Sequence, residues 1–329
     1  MRFRIHPAWW PVLALASPAL VPWLAIQTGR FATGRTRALQ VNKDRVSSAL
    51  PLALPVLDDL RLTVLVDHAH ETGFLGDAGV SYVMATPSGT TLMDVGFGPG
   101  TPSLAHNASR LGFQAAGIDS VVITHLHLDH MGGLRAARAH RVEWPEGFVP
   151  RPGTPCFLPA PADAPGLDAT LVEGPRLLPG GLATTGPLAR MLCLTGWIEE
   201  QALVAKRRDG GLVVVTGCGH PTLETILAMV RRMDPAKVHT VVGGLHFPIT
   251  GSRIKRLGIQ FQQVIGTGKC WWAGVTDADL TATIATLNAA GVQRLLLSAH
   301  DTCDHAIERL RRETHAEVEV VQAGASYIL

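Results

Sequence analysis

The run His125-Leu126-His127-Leu128-Asp129-His130 puts three imidazoles and a carboxylate within six residues. In an extended segment His125 and His127, two positions apart, point the same way, so both can ligate one metal ion. Asp129 and His130 follow as the chain turns into Met131-Gly132-Gly133, where glycine permits a tight turn; they can face a second ion. Nitrogen donors with one carboxylate suit Zn2+, and also Mn2+ or Fe2+. A metal at an open site lowers the pKa of bound water from ~15.7 toward ~7. The resulting hydroxide can attack a carbonyl or phosphorus centre. A solvated polar turn, the plain alternative, does not call for so many donor side chains in so short a span.

Such ligands must be presented by the ends of regular elements. Residues 120–124 (SVVIT) form a short apolar strand that leads directly into His125. Residues 212–216 (LVVVT) form another, ending in Gly217-Cys218-Gly219-His220; residues 238–242 end in Gly243-Gly244-Leu245-His246; residues 294–298 end in Ala299-His300. Histidines at four strand ends match the way α/β proteins place their chemistry in loops at one sheet edge. Earlier strands are expected at 61–66, 81–86 and 90–94. Helices are expected at 102–112, from Pro221 to about 233, from Asp277 to Gly291, and at 304–314. Residues 141–190 read as long loops with short strands, and 250–275 lack a regular pattern.

The N-terminus differs from the rest. From Trp9 to Ile26 eighteen residues carry no charge, preceded by Arg2 and Arg4 and followed by Arg30, Arg35, Arg37, Lys43 and Arg45. That length is at the lower limit for crossing a bilayer. Pro11, Pro18 and Pro22 interrupt it, while Trp9, Trp10 and Trp23 suit a headgroup interface. A signal anchor or monotopic segment is the leading reading; a cleaved signal peptide and an apolar arm packed on a partner are the others. The organisation expected is a hydrophobic membrane anchor over 1–28, a linker over 29–58 and a catalytic domain over 59–329, with membrane contact through residues 7–27. The heavier positive charge after the segment places the main domain on the cytoplasmic side.

Composition narrows the remainder. With 329 residues, 47% hydrophobic, the chain can bury a large core. A net charge of +2 gives no electrostatic case for a nucleic-acid partner. The five cysteines are odd in number and include no CxxC pair, against a disulfide framework or structural zinc knuckle. There is no GxSxG elbow for a serine nucleophile.

The HxHxDH run after an apolar strand resembles the metallo-β-lactamase superfamily, and the resemblance extends over about residues 60–329. It implies an α/β fold, an αββα sandwich with a one- or two-metal site. Leu92-Met93-Asp94-Val95-Gly96 looks like the family's strand ending in Asp-x-Gly. Residues 216–221, Gly243-Gly244-Leu245-His246 and His300 near Cys303 are similar to the 7,8-dihydropterin-6-methyl-4-(β-D-ribofuranosyl)aminobenzene-5′-phosphate synthase-like subgroup. The chain has Asp77-Ala78-Gly79 where that subgroup has Glu-His-Gly, and His300-Asp301-Thr302-Cys303 where it has His-Cys-Thr-Gly. Both departures bear on the substrate.

The resemblance implies a third histidine on the first ion, a bridging Asp or Cys, and a histidine on the second. The expected metal ligands are His125, His127, Asp129, His130, His220 and His246, with Asp129 and His300 catalytic. Cys218 is a bridging candidate or a small buried residue. Asp94 is expected to fix the first loop by hydrogen bonds, and Asp301 to orient a histidine or lie in a surface turn. His68-Ala69-His70 reads as a pocket edge or an exposed loop; Trp271-Trp272 as a substrate lid, a membrane contact or ordinary packing. The function implied is hydrolysis of a small-molecule ester or phosphate ester, pterin-related by the subgroup, using one or two divalent ions. A lactonase or thioester hydrolase of the same fold and a non-catalytic metal-binding accessory protein at the membrane are the alternatives.

Overall fold

The computed structural model describes residues 5–329; Arg2 and Arg4, which enter the topology argument, lie outside the described residues. Two sheets carry the fold. One has seven strands in the order Ser326–Ile328, Arg61–Val66, Ser81–Thr86, Gly89–Met93, Ser120–Val122, Pro155–Leu158 and Asp168–Leu171. The other has eight. Its path runs Glu317–Val320, Arg294–Leu297, Val238–Gly243, Leu212–Thr216, Leu203–Arg207, Ala183–Thr184 and Arg176–Leu177, with Val56–Leu57 also paired to Leu203–Arg207. In the second sheet Leu212–Thr216, Val238–Gly243, Arg294–Leu297 and Glu317–Val320 are parallel. Their carboxyl ends therefore share one edge. In the first sheet Gly89–Met93 and Ser120–Val122 are likewise parallel.

Alternation along the strands builds four layers. Val213 and Val215 face the core between the sheets, with Leu62, Val64, Tyr82 and Val122 from the opposite sheet. Leu212 and Val214 point the other way, onto the helices Leu223–Met233 and Asp277–Ala290 through Leu227, Val230, Leu280 and Ile284. Leu92 and Val121 on the first sheet's outer face meet Leu104 and Ala108 of the helix Ser103–Arg110. The run 212–216, four apolar residues and a threonine, is thus buried on both faces, as a central strand requires. Each fully buried Val or Leu contributes about 1.5–3 kcal/mol. The layers are helix, sheet, sheet, helix, the αββα arrangement expected.

Three segments differ from the sequence expectation. The helix Trp10–Ser48 is continuous for 39 residues, with Pro18 and Pro22 inside it, so it runs straight across the 28/29 boundary. Its basic half, which reads as linker, is held by tertiary contacts. Asn42 Nδ2 donates to Ala189 O and Ala189 N donates to Asn42 Oδ1, at 2.8 and 2.7 Å. Arg45 pairs with Glu199 at 2.7 Å. The partner in these contacts is a hairpin, Leu188–Leu192 with Gly196–Glu200, inside the stretch that reads as loop. Finally, the helix expected from Pro221 begins at Leu223, because Thr222 has φ +80° and belongs to the turn that carries His220.

Residues 250–275 contain a short hairpin, Lys255–Arg256 with Ile259–Gln260, and one helical turn, Phe261–Val264. Gln262 Nε2 donates to His300 O at 2.7 Å and Gln263 Nε2 to Pro248 O at 2.7 Å, which ties the segment down over the sheet edge. Its hairpin also meets the N-terminal end of the long helix. His6 N donates to Gly258 O and Trp9 Nε1 to Leu257 O, at 3.1 and 2.8 Å.

Candidate metal centre

The strand ends converge on one edge. Among the described residues, three overlapping groups have donor atoms within 4.8 Å of one another: His125, His127 and His220; Asp129, His130, Cys218 and His300; and Cys218, His220 and His246. Cys218 Sγ lies 3.2 Å from His130 Nε2 and 3.2 Å from His300 Nε2. His220 Nε2 is 3.1 Å from His127 Nδ1. Every residue expected as a ligand is in this cluster, together with Cys218 and His300. His68 and His70 are in none of the groups.

The convergence depends on glycine. A Cβ at Gly217 would fall 2.3 Å from Thr124 Oγ1, one at Gly243 2.1 Å from Thr216 O, and one at Gly244 2.5 Å from Asp301 Oδ2. The strand ends pass closer than any side chain allows.

A second ring of side chains fixes the imidazoles. Asp94 Oδ2 contacts His130 Nδ1 at 2.7 Å and accepts from Thr124 Oγ1, while Oδ1 accepts from Thr124 N. This is the loop-fixing role expected of it. Ser298 Oγ lies 2.6 Å from His300 Nδ1, and Thr124 Oγ1 lies 3.0 Å from His125 Nδ1. Asp301 Oδ2 accepts from His246 N at 3.0 Å. It is fully buried, so the surface-turn reading does not hold. Two further residues have no local signal in the sequence. Glu200 accepts from Gly219 N and His220 N at 2.8 Å each, fixing the turn that bears Cys218 and His220. Asp67 accepts from Tyr82 OH, Ser298 Oγ, His68 N and Ala299 N, fixing the turn before His300.

The electrostatics favour neutral imidazoles at His125, His127, His220 and His300. Burial holds His127 and His300 down to about 3, and burial with the neighbouring imidazoles drives His125 and His220 well below the usual range. At His130 burial is outweighed by the Asp94 and Asp129 carboxylates, which raise it to about 9. Burial also raises Asp129 and pushes Glu200 up to about 7.

The donor set fits divalent metal ions. Buried His125 Nε2 and both ring nitrogens of His246 have no hydrogen-bond partner within the protein, an arrangement that costs free energy unless another group completes it. Each of His125, His130 and His300 is oriented through its other ring nitrogen, the pattern found around metal-ligating histidines.

Residues 75–143 match the family described as the metallo-β-lactamase superfamily. Among solved structures the chain is similar to Tm1679, a metal-dependent hydrolase of the β-lactamase superfamily, with 22% identity over 82% of this chain and 98% of that one and a TM-score of 0.57. It is also similar to the metallo-β-lactamase fold protein YhfI from Bacillus subtilis, at 16% identity over 82% and 99% and a TM-score of 0.48. A quorum-quenching N-acyl homoserine lactone lactonase is 16% identical over 58% and 92%, with a TM-score of 0.36. No curated protein matches the chain. The chain has the metallo-β-lactamase fold, and the superfamily's sequence match falls on the stretch that carries the histidine run.

Proposed function

We propose that the chain is a metal-dependent hydrolase of a small-molecule ester or phosphate ester. The observation that carries this reading is the meeting of His125, His127, Asp129, His130, Cys218, His220, His246 and His300 at one edge, beside two cavities. We assign His125, His127 and His220 to one ion, and Asp129, His130 and His300 to a second, with Cys218 between them and His246 at the rim. Divalent ions, Zn2+ foremost, would activate water and polarise the scissile group. The chain's own residues do the rest. Asp94, Ser298 and Thr124 hold the rings in one orientation. Ile254, Phe261 and Ile265 line the cavity that also touches His127, Asp129 and Cys218, and they exclude bulk water from it. Asp129 is the carboxylate at this mouth, placed to accept a proton from the attacking water. His300 is fully buried and faces Cys218, so we place it among the donors.

A pterin-type phosphate ester is the substrate that the subgroup resemblance favours. The long apolar helix supports attachment of the enzyme to a membrane. The test is metal content with turnover of generic phosphodiester, lactone and thioester substrates, in wild type and His127→Ala. We expect bound metal, hydrolysis of one class, and loss of both in the variant. A metal-free protein indifferent to His127→Ala defeats the reading.

A further inference from the structure

Arg190 has no part in the mechanism above. It lies in the hairpin strand Leu188–Leu192 and lines a cavity of about 160 Å³ that is also lined by His220 and His246. The carboxylates whose field reaches it, Asp279 and Glu224, line the same cavity with Lys269, and both are engaged by other donors. Lys269 Nζ bonds Asp279 Oδ1 at 2.6 Å, and the Thr283 and Thr286 hydroxyls donate to Glu224 Oε1 at 3.3 and 3.2 Å. Gly268 makes room for the side chain, since a Cβ there would fall 2.1 Å from Arg190 Nε. Burial and the Arg35 charge both act against the guanidinium's charge. A guanidinium in that setting gains most from an anion that takes its paired N–H donors. Because His220 and His246 line the same cavity, a group bound there sits beside the metal centre.

We propose that Arg190 binds an oxyanion of the substrate, a carboxylate or a phosphate, next to the metal centre. This rests on the hydrolase reading for the word substrate. The other cavity, lined by Ile254, Phe261 and Ile265, takes an apolar portion, so the substrate class is an anionic ester with an apolar arm. The test titrates inorganic phosphate, and separately acetate, into the full-length metal-loaded protein and its Arg190→Met and Arg190→Lys variants by calorimetry. Metal content and thermal melting are recorded for each. Arg190→Met should weaken anion binding by roughly tenfold or more at unchanged metal content, with Arg190→Lys recovering part of it. Tighter phosphate than acetate assigns a phosphate; the reverse assigns a carboxylate. Affinity within about twofold of wild type in Arg190→Met overturns the proposal. Phosphate binding that depends on Arg190 in a protein that takes up no metal would defeat the hydrolase reading and leave this one standing.

A separate observation concerns the long helix. Its first half is apolar on all sides and exposed, with Leu15 85% and Val21 60% accessible. Residues 9–27 would measure roughly 28 Å as a helix, close to a bilayer's hydrocarbon thickness. Yet both ends of this stretch touch the same body. Trp9 Nε1 donates to Leu257 O, and beyond residue 28 the helix is bonded to Ala189 through Asn42. If residues 9–27 crossed a bilayer, the hairpin with Lys255 and Arg256 would have to cross with them, at a cost of about 2.5–3.5 kcal/mol per buried charge. We infer that the helix lies in one leaflet, parallel to the membrane, with the exposed Trp271 and Trp272 of the same segment facing the lipid interface. The test binds the full-length protein, with Cys270→Ser and either Leu257→Cys or Arg37→Cys, to phosphatidylcholine–phosphatidylglycerol vesicles. A membrane-impermeant maleimide is then added. Equal labelling at both positions is expected. Protection of Leu257→Cys alone until detergent is added overturns the inference, as does self-association without vesicle binding.

Discussion

His130 Nδ1 lies 2.7 Å from Asp94 Oδ2, with both side chains fully buried. Because Asp94 also accepts from Thr124 N and Thr124 Oγ1, the ring cannot turn, and its Nε2 stays aimed at Cys218. Asp94→Asn should lower zinc affinity by about 10–100-fold, read by competition with a chelator. Asp94→Ala should in addition destabilise the metal-stripped protein by about 1–3 kcal/mol, because Thr124 N loses its acceptor. An Asp94→Asn protein with wild-type affinity would remove His130 from the ligand set.

Cys218 stands between two imidazoles at 3.2 Å each. Burial, and then the surrounding carboxylates, raise its thiol well above the usual range, so a thiolate there calls for a cation. Cys218→Asp should retain metal at both sites, since a carboxylate also spans two ions. Cys218→Ser should bind less, and both variants should lose the thiolate-to-metal absorption of the cobalt-loaded protein. Metal analysis and ultraviolet spectra decide it; a cobalt spectrum unchanged in Cys218→Ser would show that the sulfur is not a ligand.

Truncation should separate the halves of the long helix. Removing residues 1–28 should release the protein from vesicles and leave its melting temperature within a few degrees of wild type. Removing residues 1–48 takes away Asn42, Arg45 and buried Phe31 and Ala38. That loss should cost at least about 3 kcal/mol and disturb the hairpin that bears Arg190. Denaturant melts of the two truncations test this, and equal stability would contradict the packing described.

Burial pushes the Asp67 carboxyl up from 3.8 to about 7, against the pull of its hydrogen-bond donors. Between those values the folded state holds a proton that the unfolded state has released. Asp67 therefore subtracts from stability as pH rises from about 4 to about 7, by about 1.4 kcal/mol per pH unit at most. Asp67→Asn should flatten that part of the wild-type stability profile while lowering stability at pH 4, where two hydroxyls lose an acceptor. Parallel profiles for the two proteins would show that Asp67 does not titrate in this range.

What was legible in the sequence was local. The His125–His130 run carries half the donor set in six residues, and the apolar strands ending at His220, His246 and His300 are short and continuous, the first two running into glycine. Cys218 could be named because it shares a turn with His220. Glu200, Asp67 and Arg190 could not, because each acts through contacts far along the chain and none stands in a motif. The helix beyond residue 28 was hidden by its basic composition. The hairpin 188–200, itself weakly patterned, and the helix Leu223–Met233, far along the chain, give that half a surface to pack on.

The glycines at 217, 243 and 244 have a further consequence. At Gly243 the spacing is set by the main chain of Thr216, while Gly217 lies against the Thr124 side chain and Gly244 against the Asp301 carboxylate and Gly217 O. The frame of the site therefore joins these three bare positions to Thr124 and Asp301, the side chains that also orient the donors. Variation is steered outward, to the segment 250–275 and the hairpin around Arg190, which form the walls of the cavities. A descendant of this chain could change the molecule it acts on by rewriting those walls, with no need to rebuild the support beneath them.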